Sequence, residues 1–289
     1  MRRLIINADD FGLTSGVNRA ILEAHGQGVV TSTSLMANAA AFSEAVGLAQ
    51  ASPRLGVGCH VVLVDGTPVL PASQVTSLLA SNHQGGARFR DGMGNFAIHA
   101  LCRRLQPDQI EAEVTAQIRK IQAAGLRVSH LDTHKHTHML PQVLGSLLRA
   151  AKACGVKALR NPFDVIQLTQ VAARPVLWKR WLEVGALRSL AGRFRVAIDQ
   201  AGMLTPAGTL GMVATGALDE QLFQAIVENL PEGTWEFVCH PGYDDEQLRG
   251  LRTRLKQSRV EELRILTSPT TRALLARGGI ELISYRDLG

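Results

Sequence analysis

Strand-like and helix-like segments alternate along this chain of 289 residues from one end to the other. Short, continuous or alternating apolar runs predict strands, and longer runs with apolar positions three or four apart predict helices. We predict strands over residues 2–8, 29–37, 55–63, 127–133, 156–162, 193–199, 209–215, 234–241 and 279–285. We predict helices over residues 14–28, 40–53, 106–125 and 140–155. Because such alternation implies helical crossovers between parallel strands, the sequence predicts an α/β fold, a TIM-barrel-like (β/α) barrel of regular or irregular form.

One long segment, residues 64–100, interrupts the alternation and is rich in Gly, Pro, Ser and Asn. Irregular insertions of this length in compact domains are usually functional lids or mobile loops. The sequence contains no internal repeat, low-complexity tract or interdomain linker. We therefore expect a single domain over residues 1–289 with a long inserted loop at about 64–100.

Composition and charge argue against several classes of protein. The net charge is +6, but aromatic residues make up only 4% and basic residues form no long block, so nucleic-acid binding is not expected. The four cysteines lack CxxC spacing, which argues against a disulfide framework or a cysteine zinc site. No apolar run is long enough to span a membrane, and the first residues lack a signal-peptide pattern. We expect a cytoplasmic protein.

Residues with catalytic or metal-binding chemistry lie at the ends of the predicted strands. In a β/α barrel the carboxyl ends of the strands form the active site. The residues in these positions are Asp9, Asp10, His60, Asp132, His134, Arg160 and His240. Each type has a structural alternative, since an Asp pair can cap a turn, a histidine can lie in the core and an arginine can pair at the rim. Because all of them fall at one rim of the predicted barrel, a shared site is favoured.

The segment HLDTHKHTHM, residues 130–139, contains four of the nine histidines of the chain. Such a cluster indicates either a metal site or a solvated histidine-rich turn. In an extended strand, every second side chain lies on the same face. His134 is the best candidate ligand because it lies at the strand end, whereas His130 lies deeper and is expected to be structural. His136 and His138 are expected on the loop that follows.

A carboxylate and two imidazoles, with water completing the shell, can hold a divalent ion that lowers the pKa of bound water. A second carboxylate beside the ligand could accept a proton from that water. The adjacent residues Asp9 and Asp10 offer both groups. The pattern therefore indicates metal-assisted hydrolysis.

Six spaced motifs occur in order along the chain: NADDFGLTSGVNRAI, GVVTSTSLMAN, LGVGCHVVL, HLDTHKHTHMLP, LRNP and CHPG. This set resembles the YdjC/ChbG/HpnK-type carbohydrate deacetylase family, and the resemblance runs over nearly the whole chain. It implies a TIM-barrel-like fold, often dimeric, that removes acetyl groups from N-acetylated amino sugars.

The resemblance also implies roles for individual residues. Asp10 of ADDFG, His60 of GCH and His134 of LDTH are implied as ligands of one divalent metal ion. Asp9 is implied as general base, and His240 of CHPG is the candidate general acid. A ligand set with two imidazoles favours zinc, cobalt or manganese, although a coordination shell completed by water oxygens could accept magnesium.

Further residues are candidates for substrate binding. Arg160 could orient Asp9 or bind sugar hydroxyls, with a salt bridge at the rim as the alternative. His136 and His138 belong to HKHTH, where family members can have a third consecutive histidine, so their roles stay open. Arg90, in the insertion, could also bind hydroxyls, with a solvated loop as the alternative.

The expected partners are an N-acetylated sugar and a second copy of the chain. Residues 174–195 are basic and contain Trp178 and Trp181, which indicates a barrel helix with an exposed basic face or, alternatively, a peripheral membrane contact suited to a lipid-linked sugar.

Two other functions are considered. A metal phosphoesterase would want more carboxylates and often a second metal, and a carbohydrate- or lipid-binding protein would have kept the site without turnover.

Overall fold

Parallel strands form the sheet in this computed structural model, which describes residues 1–80, 86–165, 171 and 174–288. Within these residues the strands are β1 (Arg2–Phe11), β2 (Ser32–Leu35), β3 (Gly56–Val61), β4 (Leu131–Thr133), β5 (Thr209–Leu210), β6 (Gly233–Cys239) and β7 (Ile280–Ile283). Their order across the sheet is β4-β3-β2-β1-β6-β5, and β7 also pairs with β1. All of these pairings are parallel, which confirms the α/β class.

Helices connect most of the strands. They are α1 (Ser15–Gly26), α2 (Phe42–Gln50), α3 (Met93–Leu101), α4 (Pro107–Ala123), α5 (Pro141–Cys154), α6 (Pro175–Leu187), α7 (Ala191–Ala201), α8 (Glu220–Glu228), α9 (Glu246–Arg249), α10 (Gln257–Thr267) and α11 (Pro269–Arg277). Short 3₁₀ turns cover Ala72–Gln74, Thr76–Leu78, His134–Met139, Arg188–Leu190 and Tyr285–Asp287. No helix among the described residues is both long enough and apolar enough to cross a bilayer.

The sheet is a curled half-barrel whose central strand is β1. The residues Leu4, Ile5 and Ile6 of β1 are all buried, as expected for a parallel strand covered on both faces. The segment after α5 lies between the edge strands β4 and β5 and forms single parallel bridges with them instead of a regular strand. Leu159 pairs with Leu131 of β4, and Asp164 pairs with Thr209 of β5. The predicted strand at 156–162 is therefore reduced to isolated bridges.

The helix boundaries follow the signals in the sequence. Thr14 caps α1 by accepting a hydrogen bond from the Val17 N–H, as its position before the helix predicts. Pro107 begins α4, and Gly155 ends α5 with a left-handed φ of 71°. These observations confirm the predicted helices at 14–28, 106–125 and 140–155.

Two more predicted strands are wrong in whole or in part. Residues 193–199 belong to α7, which buries Phe194 and Ile198, four residues apart, and leaves Val196 55% exposed. The apolar residues at 194, 196 and 198 imitate a period of two, although only the pair with helical spacing faces the core. The predicted strand at 209–215 ends after Leu210, because Gly211 turns the chain with a φ of 90°.

The inserted segment 64–100 is more regular than a loop. It contains α3 and two 3₁₀ turns, and an antiparallel bridge joins Leu79 to Phe89. Glu113 of α4 anchors it by accepting hydrogen bonds from the backbone N–H groups of Val69 and Leu70, at 2.8 and 3.0 Å. Residues 81–85 of the insertion lie outside the described residues. The prediction of one domain over 1–289 stays a prediction.

Candidate metal and catalytic site

The residues predicted at the strand ends meet at the carboxyl end of the sheet. Asp9 and Asp10 come from the end of β1, His60 from β3 and His134 directly follows β4. Parallel pairing aligns these ends, since Asn7 lies beside Ser32 and His60 lies beside Asp132. The topology therefore brings together residues that are far apart in the sequence.

A β-bulge at the end of β1 turns two neighbouring carboxylates into the same site. Ala8 pairs with Thr33 and Phe11 pairs with Leu35, so residues 9 and 10 lie opposite Ser34 alone. In a regular strand, consecutive side chains point to opposite faces. Asp10 avoids this alternation with a left-handed φ of 68°, which aspartate tolerates better than most residues.

Asp10, His60 and His134 form a triangle of possible ligand atoms. The Oδ1 atom of Asp10 lies 3.5 Å from His60 Nε2 and 3.4 Å from His134 Nδ1, and the two nitrogens are 3.4 Å apart. Two ligand atoms at about 2.1 Å from a tetrahedral ion are about 3.4 Å from each other. The spacing and the chemistry of these donors therefore fit one small divalent ion.

His60 is held in the orientation of a metal ligand. Its Nδ1 atom lies 2.8 Å from Asp132 Oδ1 and 3.2 Å from Ser34 Oγ, so its Nε2 atom faces Asp10 and His134. A carboxylate on the second ring nitrogen is the usual support of a metal-binding histidine. Burial alone would lower the pKa of His60, but the surrounding carboxylates, led by Asp132, outweigh it and raise this pKa to about 9.

Asp9 is gripped by an arginine. Arg160 donates from Nη1 to Asp9 Oδ2 at 2.8 Å and from Nη2 to Asp9 Oδ1 at 2.6 Å. Asn7 Nδ2 donates to Asp9 Oδ1 at 2.9 Å. Burial would raise the pKa of the Asp9 carboxyl, yet the Arg160 guanidinium and the nearby imidazoles hold it well below its ordinary value. Asp9 is therefore ionised and fixed in direction.

Arg160 itself is completely enclosed. Its guanidinium also contacts Asp132 Oδ2 at 2.7 Å and Glu236 Oε1 at 2.7 Å, and its side chain is 0% exposed. A guanidinium without exposed surface cannot contact a sugar, so direct substrate binding by Arg160 disagrees with this geometry. Of the roles considered from the sequence, orientation of Asp9 and a structural salt bridge both fit these contacts.

His240 lies between Asp9 and a second carboxylate. Its Nε2 atom is 3.9 Å from Asp9 Oδ2, and its Nδ1 atom is 3.8 Å from Glu262 Oε2. The His240 backbone N–H also donates to Glu262 Oε2. Burial lowers the pKa of His240 to about 4 and raises the pKa of Glu262 to about 7. His240 is therefore a neutral imidazole at neutral pH, not the imidazolium expected of a resting general acid.

The remaining histidines of the cluster differ in exposure. His138 is fully buried, and its Nδ1 atom lies 2.7 Å from Thr133 Oγ1, so the prediction that it binds substrate disagrees with the structure. His136 has a left-handed φ of 55° and is only partly buried. Burial, followed by the charge of Arg160, holds the pKa of His136 well below its ordinary value. His130 is buried and stacks on Tyr285 with ring centroids 3.7 Å apart.

Arg90 lies within the insertion. Its guanidinium donates to the carbonyl oxygen of Ser77, and its own carbonyl oxygen accepts from the Asp65 N–H at 3.0 Å. The described hydrogen bonds of Arg90 all stay inside residues 64–100. They fit an anchor of the insertion as well as they fit the predicted substrate contact, which stays a prediction.

Several residues of the site were missed by reasoning from the sequence. Glu236 lies inside β6 and pairs with Arg160, whereas Arg259 and Glu262 both come from α10. Arg259 Nη2 donates to Asp10 Oδ2, on the side of the carboxylate away from the triangle of ligand atoms. A charged residue inside an apolar strand was the available signal for Glu236. No local signal marks the two residues of α10.

The chain is similar in sequence to known proteins over nearly its full length. The family model described as YdjC-like protein matches residues 3–277. A carbohydrate deacetylase of Brevibacillus brevis is 36% identical over 99% of this chain and 100% of its own length. A carbohydrate deacetylase of Geobacillus stearothermophilus is 33% identical over 99% of this chain and 98% of its own length.

Solved structures show the same fold. A crystal structure from Enterococcus faecalis V583, named as a cellobiose-phosphate cleavage protein, is similar with a TM-score of 0.77 and 28% identity, covering 98% of this chain and 97% of that one. A lactam utilization protein from Thermus thermophilus is similar in fold alone, with a TM-score of 0.53 and 16% identity over 98% of this chain and 99% of that one.

Proposed function

This chain belongs to the YdjC-like protein family, and from that premise and the rim site we propose that it is a metal-dependent hydrolase removing the acetyl group from an N-acetylated amino sugar. The substrate class would be an N-acetylglucosamine-containing oligosaccharide or glycolipid. Relatives named carbohydrate deacetylases support the reaction, since they align over nearly the full length of this chain. The observation that carries the proposal is the triangle of Asp10, His60 and His134 beside the arginine-bound Asp9.

The metal would be held by Asp10 Oδ1, His60 Nε2 and His134 Nδ1. Two imidazoles and one carboxylate suit zinc, cobalt or manganese, and magnesium is acceptable if water supplies more oxygen ligands. When bound, such an ion polarises a carbonyl group and lowers the pKa of water. Asp132 supports this set, because its contact with His60 Nδ1 keeps Nε2 directed to the site.

Asp9 and His240 would transfer the proton from the attacking water to the leaving amine. Hydrolysis adds the hydroxyl of water to the acetyl carbon, breaks the carbon–nitrogen bond and delivers the water proton to the leaving amine. Asp9 is the base, and His240 lies 3.9 Å from its Oδ2 atom, with a pKa near 4 that leaves its ring neutral. We therefore assign His240 to relay the proton accepted by Asp9 to the amine, instead of supplying a stored one.

The test is acetate release from N-acetylglucosamine oligomers. Chelation should abolish turnover and added divalent metal should restore it. Asp9→Asn should lower kcat by about 100-fold or more, since general base catalysis contributes about that much. Asp199→Asn, at an exposed position of α7, is the matched control and should leave kcat unchanged. Full activity of Asp9→Asn would refute the role of Asp9.

A two-metal phosphoesterase is disfavoured by the contacts around the second cluster of possible metal ligands. Asp9, His60 and Asp132 also lie close enough to share an ion, as a two-metal site would require. However, Arg160 already pairs with Asp9 and Asp132 at 2.6 and 2.7 Å, which opposes a second cation there. Turnover of phosphate esters without acetate release would favour this alternative, and tight sugar binding without turnover would favour a binding protein.

The finer expectations about partners remain proposals. In α6, Val176, Trp178 and Leu182 are exposed beside basic residues, a composition that suits a membrane surface and a lipid-linked sugar. Co-sedimentation with anionic vesicles at low salt tests this contact, and absence of binding would remove it. A homodimer is tested by light scattering at micromolar concentration, and the cytoplasmic location by cell fractionation.

A further inference from the structure

We propose that Arg259 is a positioning residue that restricts Asp10 to a single metal-facing oxygen and thereby favours small divalent ions over Ca²⁺. The inference rests on the proposed function, because it takes Asp10, His60 and His134 as the ligands. Its physical basis is the separation of the two Asp10 oxygens, one on each side of the carboxylate. Oδ1 faces His60 and His134, whereas Oδ2 accepts a hydrogen bond from Arg259 Nη2.

Arg259 is held by its backbone, its stem and its Nε atom. The side chain is 1% exposed, and its Nε donates to the Leu255 carbonyl oxygen at 3.2 Å. Its backbone carbonyl accepts from the Gly242 N–H at 3.2 Å. The stem packs so tightly against this loop that a Cβ added at Gly242 would lie 2.9 Å from Arg259 Cδ. The guanidinium therefore cannot follow Asp10 if its carboxylate rotates.

The backbone of Asp10 also limits the orientation of its carboxylate. Its φ of 68° follows from the bulge at the end of β1, and its side chain is buried. Rotation of the carboxylate to present both oxygens to an ion would break the charge-assisted hydrogen bond to a buried guanidinium. Such bonds are about twice as strong as neutral ones, so the carboxylate is held with one oxygen toward the site.

Single-oxygen ligation separates metal ions by size and coordination number. Ca²⁺ takes about six to eight oxygen ligands and often uses both oxygens of a carboxylate. Zinc and similar ions need only about four ligands and accept one oxygen from each carboxylate. Because Arg259 occupies Asp10 Oδ2, a Ca²⁺ ion loses an oxygen ligand that it would otherwise use. A small four-coordinate ion needs only Oδ1 from this carboxylate and loses no ligand.

The charge of Arg259 must be separated from its positioning effect. A buried cation next to the site repels every divalent ion, so its removal strengthens the binding of all of them through charge alone. That contribution is nearly the same for ions of equal charge. The ratio of two affinities cancels it, and the ratio of Co²⁺ affinity to Ca²⁺ affinity therefore reports the restriction on the Asp10 carboxylate.

The experiment compares Arg259→Met with the wild-type chain after chelation. Co²⁺ and Ca²⁺ affinities are measured by competition with a chromophoric chelator, without any sugar. We expect the Co²⁺/Ca²⁺ affinity ratio to fall by about 10-fold or more, a change as large as the one that loss of an outer contact of a metal ligand makes in metal affinity. The visible absorption of bound Co²⁺ should weaken, because its coordination number rises when Asp10 offers both oxygens.

The control variant is Arg264→Met, on the same helix. Arg264 is exposed and pairs with Glu220 and Glu261, so its replacement should leave the ratio and the Co²⁺ spectrum unchanged. Circular dichroism and thermal unfolding of the chelated proteins check the fold. Arg259→Lys keeps the positive charge on a shorter side chain, and we expect its ratio to fall in the same direction by a smaller factor.

The failure of this inference differs from the failure of the proposed function. If folded Arg259→Met, or Arg259→Lys where the methionine variant does not fold, keeps the wild-type ratio and spectrum, the role of Arg259 is overturned while the deacetylase proposal stands. If the wild-type chain binds neither ion, the proposed metal site is wrong and the inference falls with it.

Discussion

Metal binding by this chain should release a proton from His60. The carboxylates around His60 raise its pKa to about 9, so the metal-free ring is protonated at pH 7. A nitrogen that carries a proton cannot ligate a metal, and the ion must displace that proton from Nε2. The proton on Nδ1 can stay, because Asp132 Oδ1 accepts its hydrogen bond at 2.8 Å.

The reduction in apparent metal affinity follows from the difference between the pH and the pKa of His60. At pH 7 the gap to a pKa of about 9 reduces the apparent metal affinity about 100-fold, or by about 2.7 kcal/mol. The logarithm of the apparent affinity should therefore rise with pH at a slope of about one, and level off near pH 9. Asp132→Asn should flatten this slope near neutral pH, because the charge that most raises the pKa of His60 is lost.

The assay is isothermal titration of the chelated protein with Co²⁺ at pH 7 in buffers with different ionisation enthalpies. We expect release of about one proton for each ion bound. His99→Gln, at a partly buried position of α3 outside the site, is the control and should release the same number of protons. A metal-binding reaction that releases no proton and has a flat pH dependence between pH 6 and 8 would refute the reasoning about His60.

Other variants probe the charge network, the packing beneath it and a helix cap. Arg160→Met leaves three carboxylates buried without their cation, and it should lower the free energy of unfolding in urea by about 3–5 kcal/mol; a change below 1 kcal/mol would contradict the network. Gly58→Ala places a methyl group 2.4 Å from the ring of His130, so a loss of about 1–3 kcal/mol is expected in the same assay, and no loss would mean that the ring moves freely. Thr14→Ala removes the cap of α1 and should cost about 1 kcal/mol, while Thr14→Ser should restore it.

The position of the site could be predicted because parallel topology is visible in the sequence. The alternation of strands and helices places every strand end at one rim, so Asp10, His60 and His134 are brought together without knowledge of the tertiary packing. The three ligand atoms lie 3.4 to 3.5 Å apart in the structure. This agreement concerns placement, and the roles of these residues remain proposals.

The supporting residues could not be predicted because they depend on how helices dock. Arg259 and Glu262 lie in α10, outside any strand end, and they reach Asp10 and His240 only after the helix packs against the sheet. The strand predicted at 193–199 fails for a related reason. Its apolar residues satisfy a period of two as a pattern, and only the packing of α7 shows that Phe194 and Ile198 alone face the core.

The motif ADDFG specifies a backbone conformation in addition to two carboxylates. Adjacent residues of a regular strand cannot both face one site, so the chemistry of Asp9 and Asp10 depends on the bulge that ends β1. Two residues after Asp10, Gly12 has a second left-handed φ, of 91°, and a Cβ added to it would lie 3.1 Å from Leu35 Cδ1. Asp tolerates the first of these conformations and Gly the second. The sequence of the motif is therefore explained by backbone geometry together with ligand chemistry, and a replacement that kept only the carboxylates would not keep the site.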